Sequence, residues 1–363
     1  MNSMSFASYL DQTAPELLAR DNLPGAAIAL IEDASPTLVK TWGFADKAAQ
    51  KTINSSTLFN VASISKSFTS WGIMKLVDQG QVELDRPVEE YLGDWRLPPS
   101  PFDHNQVTIR RLLSHTAGLN TEGIKGVAPS SPSYSTIDVL EGRLPALDEY
   151  QRHYCLQWDI DPARDRDPAT VKFQPGAAFH YSNLGFVLLQ LLIEEMSDRP
   201  FADFMQTGIL DPLGMEFAGF TPAELSNPRL ATAHGSDGAP LPFYRHVALA
   251  AGGLFCSIDD LARFACAELK GGESVISRQG LATLFERQCY AETLEGFDFD
   301  TALGHYRLEI GDLTFVNHTG GVLGWRSVYG VIPQSGHGFC ALINSDGGNQ
   351  FWMELIQAWF ESI

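Results

Sequence analysis

The sequence predicts an α/β (α+β) protein in which an antiparallel sheet, built from both ends of the chain, is flanked by helices. Runs with the composition and alternation of strands occur near the beginning of the chain and again between residues 305 and 344. Much of the chain between them has helical spacing. We therefore expect a discontinuous sheet domain of residues 1–85 and 300–363, and an inserted, mainly helical domain of residues 86–299 whose loops shape a cleft.

The N-terminal part supplies the first elements of this sheet. Residues 6–20 have the spacing of an amphipathic helix. Pro24 and Gly25 then introduce the apolar run A-A-I-A-L-I-E, and residues 37–44 form a second run after a turn at Pro36. Two short runs joined by a turn predict an antiparallel hairpin.

The middle of the chain has the pattern of helices joined by loops. Helices are expected at residues 108–114, 184–196 and 201–210, and Ser257 is expected to cap a further one. Four prolines mark the place where the chain should leave the sheet, namely Pro87, Pro98, Pro99 and Pro101.

The irregular region 120–175 is expected to shape one side of the cleft. Arginines and a proline interrupt its aspartates, which therefore do not follow the spacing of a calcium-binding loop, and we expect a solvated loop. These aspartates are Asp159, Asp161, Asp165 and Asp167.

The last part of the chain returns to strand character. A turn is expected at Gly311-Asp312, and residues 349–360 have the spacing of an amphipathic helix. The expected strands are residues 305–310, 313–317, 326–333 and 338–344.

Composition excludes several classes of function. The chain has 363 residues, of which 44% are hydrophobic, and this is enough for a large core. Its 25 basic and 44 acidic residues give a net charge of −19, which argues against nucleic acid or an anionic membrane as a partner. Because neither C-x-x-C nor H-E-x-x-H occurs, we expect no dedicated zinc site. We also expect no other metal and no cofactor.

The compartment is predicted from the N-terminus and the cysteines. The first twelve residues lack the basic leader and the apolar run of a signal peptide, and no stretch reaches the length of a membrane span. The five cysteines are odd in number and widely scattered, as is typical of reduced thiols. We expect a cytoplasmic protein, with the periplasm as the alternative if the chain has been trimmed.

The stretch F-N-V-A-S-I-S-K-S-F-T-S, residues 59–70, carries the first candidates for chemistry. Ser63 and Lys66 stand three residues apart where a helix is expected to begin, and this spacing places the hydroxyl and the amine on one face. The unpaired N–H groups at a helix N-terminus favour a developing oxyanion. Serine–lysine pairs are common, so further motifs must decide the meaning of this one.

Two further motifs follow, Y-S-N at Tyr181 to Asn183 and H-T-G-G at His318 to Gly321. With S-I-S-K they resemble, in order and spacing, the serine β-lactamase and penicillin-binding-protein superfamily. The second-motif tyrosine resembles class C β-lactamases and their relatives, which include DD-peptidases, D-aminopeptidases and family VIII esterases. The stretches L-L-S-H-T-A-G-L and A-G-G-L-F-C-S-I-D-D-L-A-R-F extend the resemblance, which implies a β-lactamase/transpeptidase-like fold.

The residues themselves indicate covalent catalysis. A hydroxyl such as that of Ser63 can divide the hydrolysis of an acyl compound into acylation and deacylation. Lys66 can accept the proton of Ser63 only as a neutral amine, so its pKa would have to be lowered. The resemblance implies that Tyr181 relays a proton or positions the deacylating water, and that Asn183 hydrogen-bonds Lys66 or the substrate. Whether Lys66 or Tyr181 is the principal base stays open.

The third motif is expected to lie on a strand edge. The resemblance implies an oxyanion hole made by the N–H groups of Ser63 and Gly321, and substrate contacts with His318, Thr319 and Gly320. His318 stands where lactamases carry a lysine. Because histidine titrates near neutrality, it holds a substrate carboxylate less dependably, which makes a penicillin-type substrate less favoured.

The sequence also predicts roles for three residues outside the three motifs. Tyr306 and Trp325 lie near the third motif in sequence and are candidates for the cleft wall. His115 is expected to be a hydrogen-bonded structural histidine rather than a catalytic one.

The sequence therefore predicts a serine hydrolase that forms an acyl-enzyme on Ser63 and acts on small ester or amide molecules. The alternatives are a DD-peptidase or D-aminopeptidase, and a catalytically idle sensor or scaffold that keeps the cleft. The presence of Ser63, Lys66, Tyr181 and Asn183 together favours an active enzyme.

Overall fold

The structure, a computed structural model, describes residues 6–120, 126–157, 161–220, 227–294 and 297–363. Nine of the strands in these residues form one antiparallel sheet, and β4 and β5 form a separate pair. The strands are β1 (Gly25–Glu32), β2 (Ser35–Asp46), β3 (Lys51–Thr52), β4 (Phe59–Asn60), β5 (Phe255–Cys256), β6 (Cys289–Leu294), β7 (Phe297–Thr301), β8 (Tyr306–Ile310), β9 (Leu313–Val322), β10 (Trp325–Ile332) and β11 (His337–Ile343).

Helices cover both faces of the sheet and fill the middle of the chain. None of the helices in the described residues is long and apolar enough to cross a membrane. The helices are α1 (Phe6–Arg20), α2 (Ser65–Asp78), α3 (Ile109–Leu113), α4 (Thr136–Leu140), α5 (Glu149–Gln157), α6 (Asn183–Ser197), α7 (Phe201–Met205), α8 (Leu249–Gly252), α9 (Ile258–Leu269), α10 (Arg278–Phe285) and α11 (Asn349–Phe360).

The sheet is assembled from the two ends of the chain, as predicted. Its order is β3-β2-β1-β11-β10-β9-β8-β7-β6, so the first strand pairs with the last. Ala27 and Ala29 of β1 face the core that contains α2 and α9, whereas Ile28 and Leu30 face the core under α1 and α11. Because β1 is buried on both faces, its sequence is a continuous apolar run instead of an alternating one.

The C-terminal part of the sheet begins before residue 300, which was the predicted domain boundary. Strands β6 and β7 start at Cys289 and Phe297, and both are hydrogen-bonded into the nine-stranded sheet. They were missed because the acidic residues Glu292, Asp298 and Asp300 have a low strand propensity. The division of the chain into two domains stays a prediction.

Strand β9 is also longer than the expected strand of residues 313–317. It continues to Val322, because β10 pairs with it through Gly321 opposite Arg326 and Trp325 opposite Val322. Two adjacent glycines have a low strand propensity, and tertiary pairing overrides it here.

The helix predictions are confirmed with small shifts. Helices α1 and α11 have the predicted bounds, and α6 extends the predicted helix by one residue at each end. Ser257 caps α9, since its hydroxyl accepts the N–H of Asp260. The helix expected at 201–210 is divided into α7 and a π-helical turn, Gln206–Leu210.

The acidic region differs from the solvated loop that was expected. Asp165 is buried, with 1% of its surface exposed, and lies 3.0 Å from the guanidinium of Arg166. Asp159 lies outside the described residues. The expectation of a solvated loop was wrong for Asp165, because a basic neighbour in the sequence accompanies it into the interior.

A glycine of β9 allows the segment before α2 to pack closely on the sheet. This segment contains a 3-10 turn, Ala62–Ile64. A Cβ at Gly320 would overlap the carbonyl oxygen of Val61 and the hydroxyl of Ser327. The Ser327 hydroxyl itself donates to Val61 O at 2.9 Å. Residue 320 therefore has to be glycine for the turn to reach the strand.

Gly320→Ala is expected to lower the free energy of unfolding by about 1–3 kcal/mol, because the added methyl must displace the Val61 carbonyl or the strand. Gly321→Ala is the matched control, since a Cβ there would lie 3.4 Å from the nearest atom, on Arg326. Urea denaturation of both variants measures the difference. Equal stabilities would contradict the packing described above.

Candidate active site

Ser63 lies in the middle of the 3-10 turn that precedes α2, not on the first turn of α2 itself. The residue before it, Ala62, has a φ of 47°, a left-handed conformation that is uncommon for alanine. Asn60 Oδ1 accepts the Ala62 N–H at 2.6 Å, and the Ser65 hydroxyl donates to Ala62 O at 2.6 Å. These contacts hold the strained residue in place and so define the direction in which Ser63 points.

The amine of Lys66 is buried beside Ser63. Its Nζ lies 3.1 Å from Ser63 Oγ, 2.9 Å from Asn183 Oδ1 and 2.6 Å from the carbonyl oxygen of Ala251. The partners come from the Ser63 turn, α6 and α8, so the amine joins three parts of the chain. A buried amine requires such polar partners, because it has lost its contact with water.

Tyr181 approaches Ser63 from the segment just before α6. Its hydroxyl donates to Ser63 Oγ at 2.8 Å. Burial raises the pKa of Tyr181 above its usual value, and the hydrogen bond to Ser63 opposes this rise only in part. Tyr181 is therefore a neutral phenol at neutral pH, and it can donate a proton.

His318 of β9 is buried and neutral. Its Nδ1 lies 2.7 Å from the carbonyl oxygen of Thr319. Because a carbonyl only accepts, Nδ1 carries the hydrogen. Burial, together with the charge of Lys66, lowers the pKa of His318 to about 3. The expectation that this residue titrates near neutrality was wrong, because full burial outweighs the hydrogen bond to Thr319.

The end of β9 forms an open strand edge beside the Ser63 turn. Strand β8 pairs with β9 only as far as Tyr306 opposite Asn317, so residues 318–322 lie beyond this last pair. Thr319 and Gly321 are exposed there, whereas His318 and Gly320 are buried. This is the strand edge expected for the third motif; the oxyanion hole itself stays a prediction.

The two candidates for the cleft wall lie in different surroundings. The Tyr306 ring lies 5.2 Å from the ring of His318 and 6.3 Å from that of Phe179. Trp325 packs edge-on against Phe59 and Phe255, and it lines a separate cavity of about 390 Å³. The fold therefore brings Tyr306 beside the third motif, and it places Trp325 against β4 and β5.

Several contributors to this site were missed by sequence reasoning. Ala251 acts through its main-chain carbonyl, which has no side-chain signal in a sequence. Asn60 stands only three residues before Ser63, but its role depends on the left-handed conformation of Ala62. Phe179 was visible within the stretch P-G-A-A-F-H-Y-S-N, although an aromatic residue there does not by itself indicate a cleft.

A sheet built from both termini, with helices packed around a serine, a lysine and a tyrosine, defines the class of β-lactamases and penicillin-binding proteins. The chain belongs to the Beta-lactamase family, whose model matches residues 10–362. This confirms the resemblance found in the motifs.

Individual relatives carry different names within this family. The chain is 28% identical to Esterase EstB of Burkholderia gladioli over 242 residues, which are 67% of this chain and 58% of the esterase. It is 30% identical to a D-aminopeptidase of Gluconobacter oxydans (strain 621H) over 216 residues, which are 60% of this chain and 36% of that enzyme. The chain thus spans less than two thirds of the length of each of these relatives.

Solved structures confirm the fold. The octameric penicillin-binding protein homologue from Pyrococcus abyssi superposes with a TM-score of 0.75 and 26% identity, over 94% of this chain and 74% of that one. A β-lactamase/D-alanine carboxypeptidase from Pseudomonas syringae also has a TM-score of 0.75, with 18% identity, over 97% of this chain and 98% of that one.

The low pKa of His318 predicts a pH-dependent stability. The unfolded chain binds a proton at this residue below about pH 6.5, whereas the folded chain does so only near pH 3. Stability is therefore lost as the pH falls through this window. Between pH 7 and pH 5 the His318 contribution to the free energy of unfolding should fall by about 2 kcal/mol.

His318→Gln removes this contribution, so its stability should fall less than that of the wild type over the same interval. Urea denaturation of both proteins at pH 7 and pH 5 measures the change in the free energy of unfolding. The comparison cancels the contributions of other titrating groups. Identical changes in both proteins would show that His318 is not held neutral.

Proposed function

We propose that this protein is a serine hydrolase that forms an acyl-enzyme on Ser63 and hydrolyses small esters or amides. One observation carries the proposal: Ser63 Oγ lies between the Tyr181 hydroxyl, at 2.8 Å, and the Lys66 amine, at 3.1 Å. A serine hydroxyl in this position has a proton acceptor on one side and a proton donor on the other.

In the acylation step, the uncharged form of Lys66 accepts the proton of Ser63 while Oγ attacks the substrate carbonyl. The neutral state of Tyr181 supports this choice of base, since a phenol cannot accept the proton at rest. Tyr181 gives its proton to the leaving alcohol or amine as the tetrahedral intermediate collapses. Lys66 then returns the proton that it took from Ser63 to Tyr181, and the acyl-enzyme remains.

In the deacylation step, a water molecule attacks the ester carbonyl on Ser63. Lys66 and Tyr181 accept and relay its proton back to Ser63 Oγ, which leaves as the hydroxyl. Asn183 orients Lys66 through its amide oxygen at 2.9 Å. The N–H groups of Ser63 and Gly321 are the proposed donors to the oxyanion, with Thr319 and Gly320 beside the substrate.

The charge of the third motif supports neutral substrates. His318 is uncharged at neutral pH, so this position offers no cation to a substrate carboxylate. Penicillin-type substrates and peptides with a free carboxylate are less favoured than neutral esters for this reason. The 30% identity to a D-aminopeptidase favours amides of D-amino acids as the second candidate class.

Ser63→Ala is expected to abolish hydrolysis of p-nitrophenyl butyrate and the mass adduct with a fluorophosphonate, because it removes the nucleophile. Ser67→Ala is the matched control on the same helix. Its hydroxyl donates to Gly304 O, and it should keep both properties. Intact-mass spectrometry and near-ultraviolet circular dichroism check labelling and folding. Turnover that persists in the Ser63→Ala variant would overturn the proposed function.

A substrate panel tests the role of charge at position 318. The wild type should have its highest kcat/KM for p-nitrophenyl butyrate, a lower value for a D-alanyl anilide and the lowest for nitrocefin, which carries a carboxylate. His318→Lys should raise the nitrocefin-to-butyrate ratio by about tenfold or more, since a charge-assisted hydrogen bond contributes roughly 1.5–3 kcal/mol. Preferential hydrolysis of nitrocefin by the wild type would contradict the neutral-substrate assignment.

A further inference from the structure

We propose that His115 is a positioning residue for Tyr181: it holds the main chain on both sides of the tyrosine so that the phenol reaches Ser63. The proposal rests on the proposed function, in which Tyr181 donates and relays protons. His115 itself makes no proton transfer in that scheme.

Two hydrogen bonds that this one residue accepts flank Tyr181. The carbonyl oxygen of His115 accepts the N–H of His180 at 2.7 Å. Its ring nitrogen Nδ1 accepts the N–H of Ser182 at 3.1 Å. The residues immediately before and after Tyr181 are thus both bound to His115, and the main chain between them has little freedom to rotate.

The ring of His115 also supports the tyrosine ring directly. Their centroids are 4.3 Å apart, with an interplanar angle of 31°. Phe186 of α6 lies 5.2 Å from the same imidazole, and His115 is only 6% exposed. The imidazole is therefore packed against the Tyr181 ring.

The direction of the Ser182 hydrogen bond defines the state of the imidazole. A backbone N–H only donates, so Nδ1 must present a lone pair and the ring hydrogen must be on Nε2. Burial, with the charge of Lys66, lowers the pKa of His115 well below its usual value, and this keeps the acceptor available. Protonation of Nδ1 would break the bond to Ser182.

The position carries structural costs that packing alone does not explain. His115 has a φ of 57°, in the left-handed region, directly after the C-cap of α3. Its Nε2 is buried and has no hydrogen-bond partner among the described residues. Strained and unsatisfied groups of this kind are concentrated near functional sites. Here both features accompany a residue that contacts the proposed proton donor.

Ser182 makes two further hydrogen bonds that hold the same segment. The hydroxyl of Ser182 donates to Asn120 O at 2.8 Å and accepts the N–H of Gly185 at 3.0 Å. Asn120 follows His115 by five residues in the same loop. The segment L-L-S-H-T-A-G-L, which has no place in the proposed proton transfers, therefore holds the second motif at the start of α6 in a defined place.

The test compares two substitutions that differ in where they place a polar atom. His115→Asn puts its amide oxygen the same number of bonds from the main chain as Nδ1, so it can still accept the Ser182 N–H. His115→Gln moves its amide to the position of Nε2 and loses this acceptor. With p-nitrophenyl butyrate, kcat should stay within about threefold of wild type for the Asn variant. For the Gln variant kcat should fall by about 10- to 100-fold, with KM within about threefold.

Two further measurements separate positioning from catalysis and from general destabilisation. Both variants should keep every limb of the wild-type pH profile of kcat/KM, since His115 does not titrate in the reaction. Thermal unfolding shows whether each variant is folded. If the Gln variant does not fold, kcat of the Asn variant and NMR of the wild type test the proposal instead. Equal loss of kcat in both variants, unchanged kcat in both, or loss of one limb of the profile would overturn the proposal.

An activity-independent measurement distinguishes failure of this proposal from failure of the proposed function. Imidazole ¹⁵N NMR of the wild type should show His115 as the neutral tautomer protonated on Nε2. The tautomer protonated on Nδ1 would overturn the proposed role of His115 even in an active enzyme. Conversely, the expected tautomer in a protein that neither hydrolyses esters nor reacts with a fluorophosphonate would overturn the hydrolase and the role of His115 in it.

Discussion

The burial of the Lys66 amine is the constraint on which the rest of the site depends. An amine removed from water is stable only if polar atoms surround it, and here Ser63 Oγ, Asn183 Oδ1 and Ala251 O do so. Their positions bring α2, α6 and α8 together around one nitrogen atom. The same contacts that make burial tolerable also place the serine within reach of the lysine.

The sheet supplies the second half of the site by bringing the two ends of the chain together. The Ser63 turn follows the first strands, whereas the third motif lies on β9, more than 250 residues later. Antiparallel pairing of β1 with β11 joins the two ends of the chain in one sheet, so the Ser63 turn and the third motif become parts of one surface. At Gly320 the missing side chain allows the turn to approach the strand, and the Ser327 hydroxyl binds the Val61 carbonyl there.

The histidines near Lys66 are neutral and add no second positive charge to the site. His115 and His318 are both buried near this lysine, and its charge contributes to the lowered pKa of each. Two neutral histidines then serve as hydrogen-bonding groups of defined tautomer. In the proposed mechanism, His318 adds no second cation to the substrate cleft, and His115 keeps the tyrosine in place.

The sequence by itself determined the family, the fold class and the identity of the chemical groups. These follow from local patterns: the helical spacing of Ser63 and Lys66, the alternation of the terminal strands, and motifs whose order along the chain can be read directly. The N-terminal helix, the hairpin after it and the C-terminal helix were predictable for the same reason. Strands β6 and β7 were not, since their acidic residues have a low strand propensity.

Only the tertiary structure decided the environment of those groups. The pKa of His318, the acceptor role of Ala251 and the hydrogen bonds that His115 accepts from the residues around Tyr181 all depend on atoms distant in sequence. Burial and hydrogen bonding are properties of three-dimensional surroundings, whereas a sequence motif records only which groups are present. For this reason the sequence predicted a reaction type, and the fold gave the charge state and orientation of the groups proposed to carry it out.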